Sequence, residues 1–175
     1  MSKSIEIDLS VAGINQLQRE LKDYDKWLKL KVDELCKRLA EHGVERAEVY
    51  FGYALYDGIN DVTVEPAEKQ GKNCYVVKAK GSTVLFIEFG SGVYYPDSHP
   101  EGASNGMVHG TYGRGLGKND YWFYTGQPGN AGGELAHGHS NTTITHGNPA
   151  NMSMYFARKD VEAEIGRIVK EVFKA

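Results

Sequence analysis

Apolar residues recur at three- and four-residue steps along the N-terminal third of the chain, with charged residues between them. This spacing places the apolar side chains on one face of an α-helix. Ser10 is the predicted N-cap of a helix that begins near Val11. Gly43 interrupts the apolar stripe and indicates either a close helix contact or a bend, because glycine is unfavourable inside a helix. The stripe consists of Leu17, Leu21, Leu28, Val32, Leu35, Leu39 and Ala47.

Short runs of β-branched and aromatic residues follow this helical segment. They are separated by residues 70–72 and 80–82, whose composition is typical of tight hairpin turns. The pattern therefore predicts an antiparallel meander of three strands. Before the helix, Ile5, Ile7 and Leu9 alternate with polar residues and predict a short extended segment. The three predicted strands are residues 61–65, 73–78 and 83–88.

The C-terminal segment returns to helical spacing, and Pro149 suits the entry to a helix there. Strands preceded and followed by helices indicate an α+β fold. We therefore expect an antiparallel β-sheet packed against a long N-terminal helix and a C-terminal helix. The C-terminal stripe consists of Met154, Val161, Ile165, Ile168 and Val172.

Residues 90–149 show no periodicity, and they hold 14 of the 21 glycines and five of the six histidines. Segments of this length without regular structure are usually functional or disordered. One run within it, Tyr121–Tyr124, has the composition of a strand. We interpret the region as a long Gly- and aromatic-rich insertion loop that becomes ordered against its neighbours.

Length, charge and composition describe one ordinary globular domain spanning residues 1–175. The net charge of −3 gives no electrostatic argument for binding to nucleic acid, because such binding needs a clustered basic face. It does not exclude a protein that DNA passes without being bound, since such a protein should avoid strong attraction to phosphates. Cys36 and Cys74 are expected to be reduced and mostly buried. The N-terminus has no apolar signal region, and no stretch approaches the roughly 20 apolar residues that a membrane span needs.

Histidines provide the candidate metal ligands, at His137, His139 and His146. Zinc requires three or four converging ligands, and imidazole is a common one. The H-x-H pair lies in a Gly-rich loop with no neighbouring cysteine pair or H-E-x-x-H motif to complete a recognised set. Surface or interface histidines are therefore the preferred interpretation, and we expect no metal and no cofactor.

Two patterns resemble catalytic motifs without meeting their requirements. Gly113–Lys118 is similar to a phosphate-binding loop, but it lacks the first glycine, and Asn119 replaces the Ser or Thr that holds magnesium. Ser91, His99 and Asp97 supply the residue types of a nucleophilic triad, yet no G-x-S-x-G elbow surrounds any serine. We therefore expect no catalytic residue and no enzymatic activity.

Aromatic residues are concentrated in and around the insertion loop. Tyrosine and tryptophan supply large contact areas at small entropic cost, and they are enriched at protein interfaces. A loop of this composition favours docking on another subunit over chemistry. The alternative is a separate small core for the loop. The aromatic residues are Tyr94, Tyr95, Tyr112, Tyr121, Trp122, Phe123 and Tyr124.

The segment Phe86–Gly92, with the sequence Phe-Ile-Glu-Phe-Gly-Ser-Gly, resembles the signature of the bacteriophage tail-component family, whose members are also called tail-completion or head–tail joining proteins. Residues 5–10 with the Leu-rich helix after them look like the opening of that family. Residues 147–154 resemble its entry to the last helix. The resemblance covers residues 4–93 and 145–173, and residues 94–144 form the insertion.

The resemblance implies a structural virion protein at the head–tail junction, or neck, assembled in the host cytoplasm. It implies a homo-oligomeric ring, most simply a hexamer, that contacts other neck and tail proteins and lets DNA pass without specific binding. Alternatives left open are a tail terminator, a metal-dependent hydrolase and an adaptor for a host protein. The motif and expected subunit contacts are Phe86, Glu88, Phe89, Gly90, Gly92, Tyr94, Tyr95, Tyr121, Trp122, Phe123 and Tyr124.

Two physical expectations follow for the motif. Gly90 and Gly92 permit backbone angles that other residues resist, so we expect the chain to turn sharply off the edge of the sheet there. Glu88 lies between Phe86 and Phe89, and a buried carboxylate in that position needs a partner. We expect that partner to be an arginine or lysine of this chain or of the next subunit.

Overall fold

A computed structural model describes residues 8, 10–108, 111 and 119–174. The extended segment predicted at Ile5, Ile7 and Leu9, the phosphate-loop-like Gly113–Lys118 and the aromatic Tyr112 lie outside the described residues. Within them the fold is α+β, as predicted. Its elements are α1 (Val11–Gly52), β1 (Thr63–Lys69), β2 (Tyr75–Lys80), α2 (Val84–Phe89), a short 3₁₀ turn (Ala103–Asn105), β3 (Trp122–Thr125), β4 (Glu134–Leu135), β5 (Thr142–Thr145) and α3 (Ser153–Val172).

Helix α1 is continuous over 42 residues and is therefore about 63 Å long. The predicted N-cap is confirmed, since the Ser10 hydroxyl accepts a hydrogen bond from the Gly13 amide at 3.1 Å. Gly43 is buried, and a Cβ there would lie 3.3 Å from a methyl of Val77 and 3.5 Å from one of Val161. Of the two readings of Gly43, the close contact is therefore the one confirmed.

The first predicted hairpin is confirmed as β1 paired antiparallel with β2. Pro66 lies inside β1, where the register shifts between Glu65 and Glu68, and a bulge is one of the few places that tolerate proline in a sheet. The hairpin packs on α1 through Lys69, whose ammonium lies 2.6 Å from the Asp33 carboxylate. That contact lowers the pKa of Asp33.

The third predicted strand, residues 83–88, is wrong, because this segment forms helix α2. The Asp61 carboxylate accepts hydrogen bonds from the amides and hydroxyls of both Ser82 and Thr83. These bonds fix the chain at the start of the helix, and Ile87 then donates its amide to the Thr83 carbonyl at 2.9 Å. Tertiary contacts of this kind override the β-propensity of Val, Phe and Ile.

Residues 90–149 contain a second sheet, with strand order β3-β5-β4 and antiparallel pairing throughout. The strand predicted at Tyr121–Tyr124 is confirmed, although it begins one residue later. Asp57, just beyond α1, fastens this sheet to the body of the protein. Its carboxylate accepts the Gly133 amide at 2.9 Å and the Thr145 hydroxyl at 2.5 Å.

Helix α3 runs antiparallel to α1, as shown by three contacts along their length. Arg46 pairs with Asp160 at 2.6 Å, Arg38 pairs with Glu171 at 3.1 Å, and the Trp27 and Phe173 rings lie 5.9 Å apart. Pairing with Arg46 lowers the pKa of Asp160. The buried core lies where α1, α2 and α3 meet, and it consists of Ala47, Phe51, Ala54, Ile87 and Ala157.

The two cysteines are free, but they are less buried than predicted. Cys36 is half-buried on α1. Cys74 is exposed, because it lies in the turn immediately before β2 rather than inside the strand. Among the described residues, no helix is both long enough and apolar enough to cross a membrane.

Candidate functional site

The segment Phe86–Gly92 forms the end of α2 and the turn that leaves it. Gly90 has φ of +85° and Gly92 has φ of +81°, so both adopt the left-handed angles expected from the sequence. The chain turns off the end of a helix, however, and not off a sheet edge. This turn brings the segment against residues 146–154, which lead into α3.

Both glycines also allow a close approach of the two segments. A Cβ on Gly90 would lie 2.8 Å from the Ala150 amide nitrogen, and one on Gly92 would lie 2.7 Å from the His146 carbonyl oxygen. Both distances are shorter than a van der Waals contact allows. Any side chain at these positions would therefore push the two segments apart.

Between the glycines, Ser91 pairs with Asn148. The Ser91 amide donates to the Asn148 carbonyl at 2.9 Å, and the Ser91 hydroxyl donates to the Asn148 side-chain oxygen at 2.6 Å. The Asn148 side-chain amide donates to the Phe86 carbonyl at 2.8 Å. Asn148 is almost fully buried, so these bonds satisfy polar groups that water does not reach.

Glu88 is buried and binds the N-terminus of α3. Its two carboxylate oxygens accept the backbone amides of Met154 at 2.8 Å and Tyr155 at 3.0 Å. Residue Met152 occupies the N-cap position with φ of +55°, and its side chain provides no cap. Glu88 therefore supplies, from a distant part of the sequence, the acceptor and the negative charge that a helix N-terminus favours.

The expectation of an arginine or lysine partner for Glu88 is wrong within this chain, and a partner from the next subunit stays a prediction. The carboxylate is bound by helix amides and by His99, whose Nε2 lies 3.1 Å from it. The His99 side chain is 5% exposed and packs against the Phe89 ring at a centroid distance of 4.4 Å. The Ser91 hydroxyl thus hydrogen-bonds to Asn148, and His99 contacts Glu88. A catalytic triad would instead need a hydrogen bond between Ser91 and His99.

Asn151 extends the same junction to the end of α1. Its side-chain oxygen accepts the Leu55 amide at 2.7 Å, and its side-chain amide donates to the Leu55 carbonyl at 2.8 Å. The Asn151 backbone amide donates to the Ile87 carbonyl at 2.9 Å. We call this set of contacts, formed by residues 86–92 with His99 and 146–155, the motif junction. It holds the ends of all three helices together.

Sequence reasoning did not identify His99, Asn148 and Asn151 as members of this junction. The signal for the asparagines was present, because Gly-Asn-Pro-Ala-Asn is rich in residues that satisfy irregular backbone. His99 carried no local signal, since its partner lies 11 residues earlier in another element.

The predicted subunit contacts divide into buried and exposed residues. Glu88 and Gly90 are buried and contact their own chain. The Tyr95 hydroxyl donates to the Ala131 carbonyl at 3.2 Å, and that of Tyr124 donates to the Gln127 carbonyl at 2.9 Å. Four aromatics remain with a third or more of their surface exposed, and we call them the aromatic patch: Tyr94, Tyr121, Trp122 and Phe123.

The aromatic patch is supported from behind by the motif junction. A Cβ on Gly92 would lie 2.9 Å from the Trp122 ring, so the ring lies flush against the glycine backbone. Tyr121 and Phe123 contact each other edge to face at 6.0 Å. Tyr94 lies 5.0 Å from the His146 ring. The glycine backbone of the motif junction therefore supports the patch at Trp122, and side chains held in place in this way cost less to order when a partner binds.

The three candidate metal ligands do not converge. His137 and His139 are exposed in the connection between β4 and β5. His146 lies next to the aromatic patch, and its Nδ1 is 2.8 Å from the Asp120 carbonyl. Across residues 8, 10–108, 111 and 119–174, no three His, Cys, Asp or Glu side chains are grouped as a metal ion would need.

Comparison of the chain with models of protein families, with curated proteins and with solved structures finds no match.

Proposed function

We propose that this chain is a structural subunit of the neck of a tailed bacteriophage, where it forms a ring that joins or completes the tail. One observation carries the proposal. The two separate segments that resemble the tail-component family, residues 86–92 and 147–154, lie against each other and are joined through Glu88. Two segments that form one family signature are expected to lie in contact when both are needed for the same part of the fold.

The surface of the protein supports an assembly role. The aromatic patch offers exposed Tyr, Trp and Phe side chains, and these residue types are enriched in protein interfaces. In the proposed ring, copies of the chain contact one another, and other neck and tail proteins contact the ring. The net charge of −3 suits a channel through which DNA moves without being held.

The proposal assigns the protein to the virion and gives it no catalytic residue, cofactor or metal. A tail terminator, which would use a ring of the same kind, is the alternative assignment. The hydrolase alternative is less favoured, because within the described part of the chain no three His, Cys, Asp or Glu side chains are grouped as a metal ion would need.

Two measurements test the proposal together. Native mass spectrometry of the purified protein should detect a closed oligomer, with a hexamer as the expected species. Protein identification in purified phage particles from the same source should detect the chain at a fixed small copy number. A protein that stays monomeric at high concentration and is missing from the particles would contradict the proposal.

A further inference from the structure

Helix α1 extends beyond the other described elements at its N-terminal end. Its outermost ring contact with α3 is that of Trp27 with Phe173. Within the described part of the chain, the hydrogen bonds and ion pairs of residues 11–26 stay within α1 and its N-cap. Most helical stability in proteins comes from packing of an apolar face, so a partner on this extension would stabilise it.

The extension carries an apolar seam spaced for packing against another element. Its large apolar residues follow alternating steps of three and four, which is the repeat of a helix seam. Val11 lies beside the seam and is 78% exposed, and Tyr24 on the seam is 57% exposed. We call these seam residues the α1 ridge: Ile14, Leu17, Leu21, Tyr24 and Leu28.

A groove of about 770 Å³ lies elsewhere on the same molecule, bounded by residues 36–43 of α1 and by β2, α2 and α3. We call it the helix groove. Its floor includes the motif residues Glu88 and Phe89. Leu85 stands in the groove with 45% of its surface exposed. Six of the residues that line it are Leu39, Val77, Val84, Leu85, Phe89 and Val161.

A molecule cannot fill its own groove with its own ridge. Both features belong to one continuous helix, and Leu21 lies 18 residues before Leu39. The rise of an α-helix separates these two residues by about 27 Å along the axis. The ridge can therefore reach a groove only in another copy of the chain.

We propose that the α1 ridge of one copy docks into the helix groove of the next. The inference rests on the proposed function and deepens it, because it names the contact that builds the ring. Such a contact joins two different surfaces, and repetition of it gives a closed ring or an open filament. The groove segment of α1 spans two helical turns, which matches the ridge from Leu21 to Leu28.

Size and charge agree with a second copy as the occupant. Five large apolar residues along four turns form a patch of the order of several hundred Å², the size that marks an interaction site on a soluble protein. The ridge is flanked by charges of both signs, such as Lys22 and Asp25. The groove lining includes Glu101 paired with Arg158 at 2.6 Å, and residues 11–28 carry three basic and three acidic side chains, so the net charge of the ridge segment does not oppose docking.

Chemical crosslinking tests this contact, and it can use the native thiols of Cys36 and Cys74, which line the groove. Gln18→Cys places a thiol beside the ridge without altering it. Gln16→Cys, about 120° around the helix from the centre of the ridge, is the matched control. With a short bis-maleimide crosslinker, Q18C should give a ladder of dimers, trimers and larger species, and Q16C should not.

The ladder should disappear when Cys36 and Cys74 are both replaced by serine in the Q18C protein. Dimers alone, persisting after that replacement, would overturn the proposal, because they would indicate that two ridges pair with each other. Equal crosslinking of Q18C and Q16C would also overturn it.

Mixing two variants tests the direction of the contact. Leu21→Glu disables the ridge and Leu85→Glu disables the groove, and circular dichroism checks that each remains folded. Each variant alone should show at least a tenfold higher Kd for self-association. Their mixture retains one intact ridge and one intact groove, and it should therefore give a one-to-one dimer that does not grow.

Two outcomes of the mixing experiment would overturn the docking proposal: assembly of L85E alone as in the wild type, or a mixture that stays monomeric. These outcomes are independent of the neck assignment. The expected dimer together with absence from phage particles would contradict the assignment and support the contact. A neck ring built from L85E subunits would support the assignment and overturn the contact.

Discussion

Individual residues in the motif junction make stabilising contacts with distant parts of the chain that their local sequence does not indicate. Glu88 replaces the missing N-cap of α3, and Gly90 provides the space that this approach needs. The left-handed angles of Gly90 and Gly92 were predictable, because two glycines around a serine after an apolar run are typical of a sharp turn. The partner of Glu88 was not predictable, because the amides that it accepts lie more than 60 residues later in the chain.

Replacement of Glu88 by Gln should destabilise the protein. Glutamine keeps the shape, but it carries no charge and presents only one acceptor atom to two helix amides. We expect a loss of about 1–3 kcal/mol in the free energy of unfolding, measured by urea denaturation. Glu48→Gln, on the exposed face of α1, should change it by less than about 0.5 kcal/mol. Equal stability of E88Q and E48Q would contradict the capping role.

Replacement of Gly90 by Ala tests the close approach of the two segments. Alanine disfavours φ of +85°, and its methyl would lie 2.8 Å from the Ala150 nitrogen. The expected loss is about 1–3 kcal/mol in thermal or urea unfolding. Gly166→Ala is the control, because nothing lies within 4 Å of that helical glycine. The control should be stabilising by about 0.5–1 kcal/mol. A neutral G90A would show that the segments separate easily.

At the scale of elements, the helices were more predictable than the strands. Long amphipathic patterns predicted α1 and α3, because helix formation depends on a periodic face that can be counted along the sequence. Residues 83–88 were assigned to a strand on their composition, whereas Asp61 fixes them as α2 from 22 residues away. Strand β4 was missed because it is two residues long and pairs only with β5, whereas the β-branched run Thr142–Thr145 of β5 carried a strand signal that was overlooked.

The contribution of Asp61 to the stability of the protein should depend on pH. The hydroxyl of Thr83 and the amide and hydroxyl of Ser82 hold the pKa of Asp61 well below its usual range. A lowered folded pKa means that the stabilisation is complete above the unfolded pKa of about 4 and is lost as the pH falls below it. Asp61→Asn should therefore cost stability at pH 7 and much less in strong acid.

The cost at pH 7 should be about 1 kcal/mol, since solvent screens this exposed carboxylate. Urea denaturation of wild type and D61N at pH 7 and across the acid range below pH 4 measures it. Asp23→Asn, on the exposed side of α1, serves as the control. A difference between wild type and D61N that stays constant down to strong acid would contradict this account of α2.

At the scale of the molecule, the ends of three helices meet at the motif junction, one small sheet packs on α1, and the other is attached through Asp57. The overall α+β class followed from the sequence, because the helical and strand patterns occupy separate stretches. The second sheet and its attachment through Asp57 did not follow, because each bond joins residues far apart in sequence. The large exposed apolar residues on the α1 ridge and in the aromatic patch suit a protein that works in an assembly.

The aromatic patch should be dispensable for folding and needed for assembly. Phe123 is 56% exposed, so Phe123→Asp should change the free energy of unfolding by less than about 1 kcal/mol. The same variant should enter phage particles poorly, because a charge at the centre of an interface is costly to desolvate. Quantifying the chain in particles from cells that supply only F123D measures this. Full incorporation would exclude the patch as a subunit contact.

The neck of an intact phage particle provides the most direct test of the proposal that this chain forms a ring there. Electron cryomicroscopy of the junction between head and tail should show a closed ring in the map, into which this fold can be fitted once per subunit. The axis of that ring should coincide with the DNA channel. A neck map whose density is fully accounted for by other chains, with none that fits the junction of α1, α2 and α3, would contradict the account.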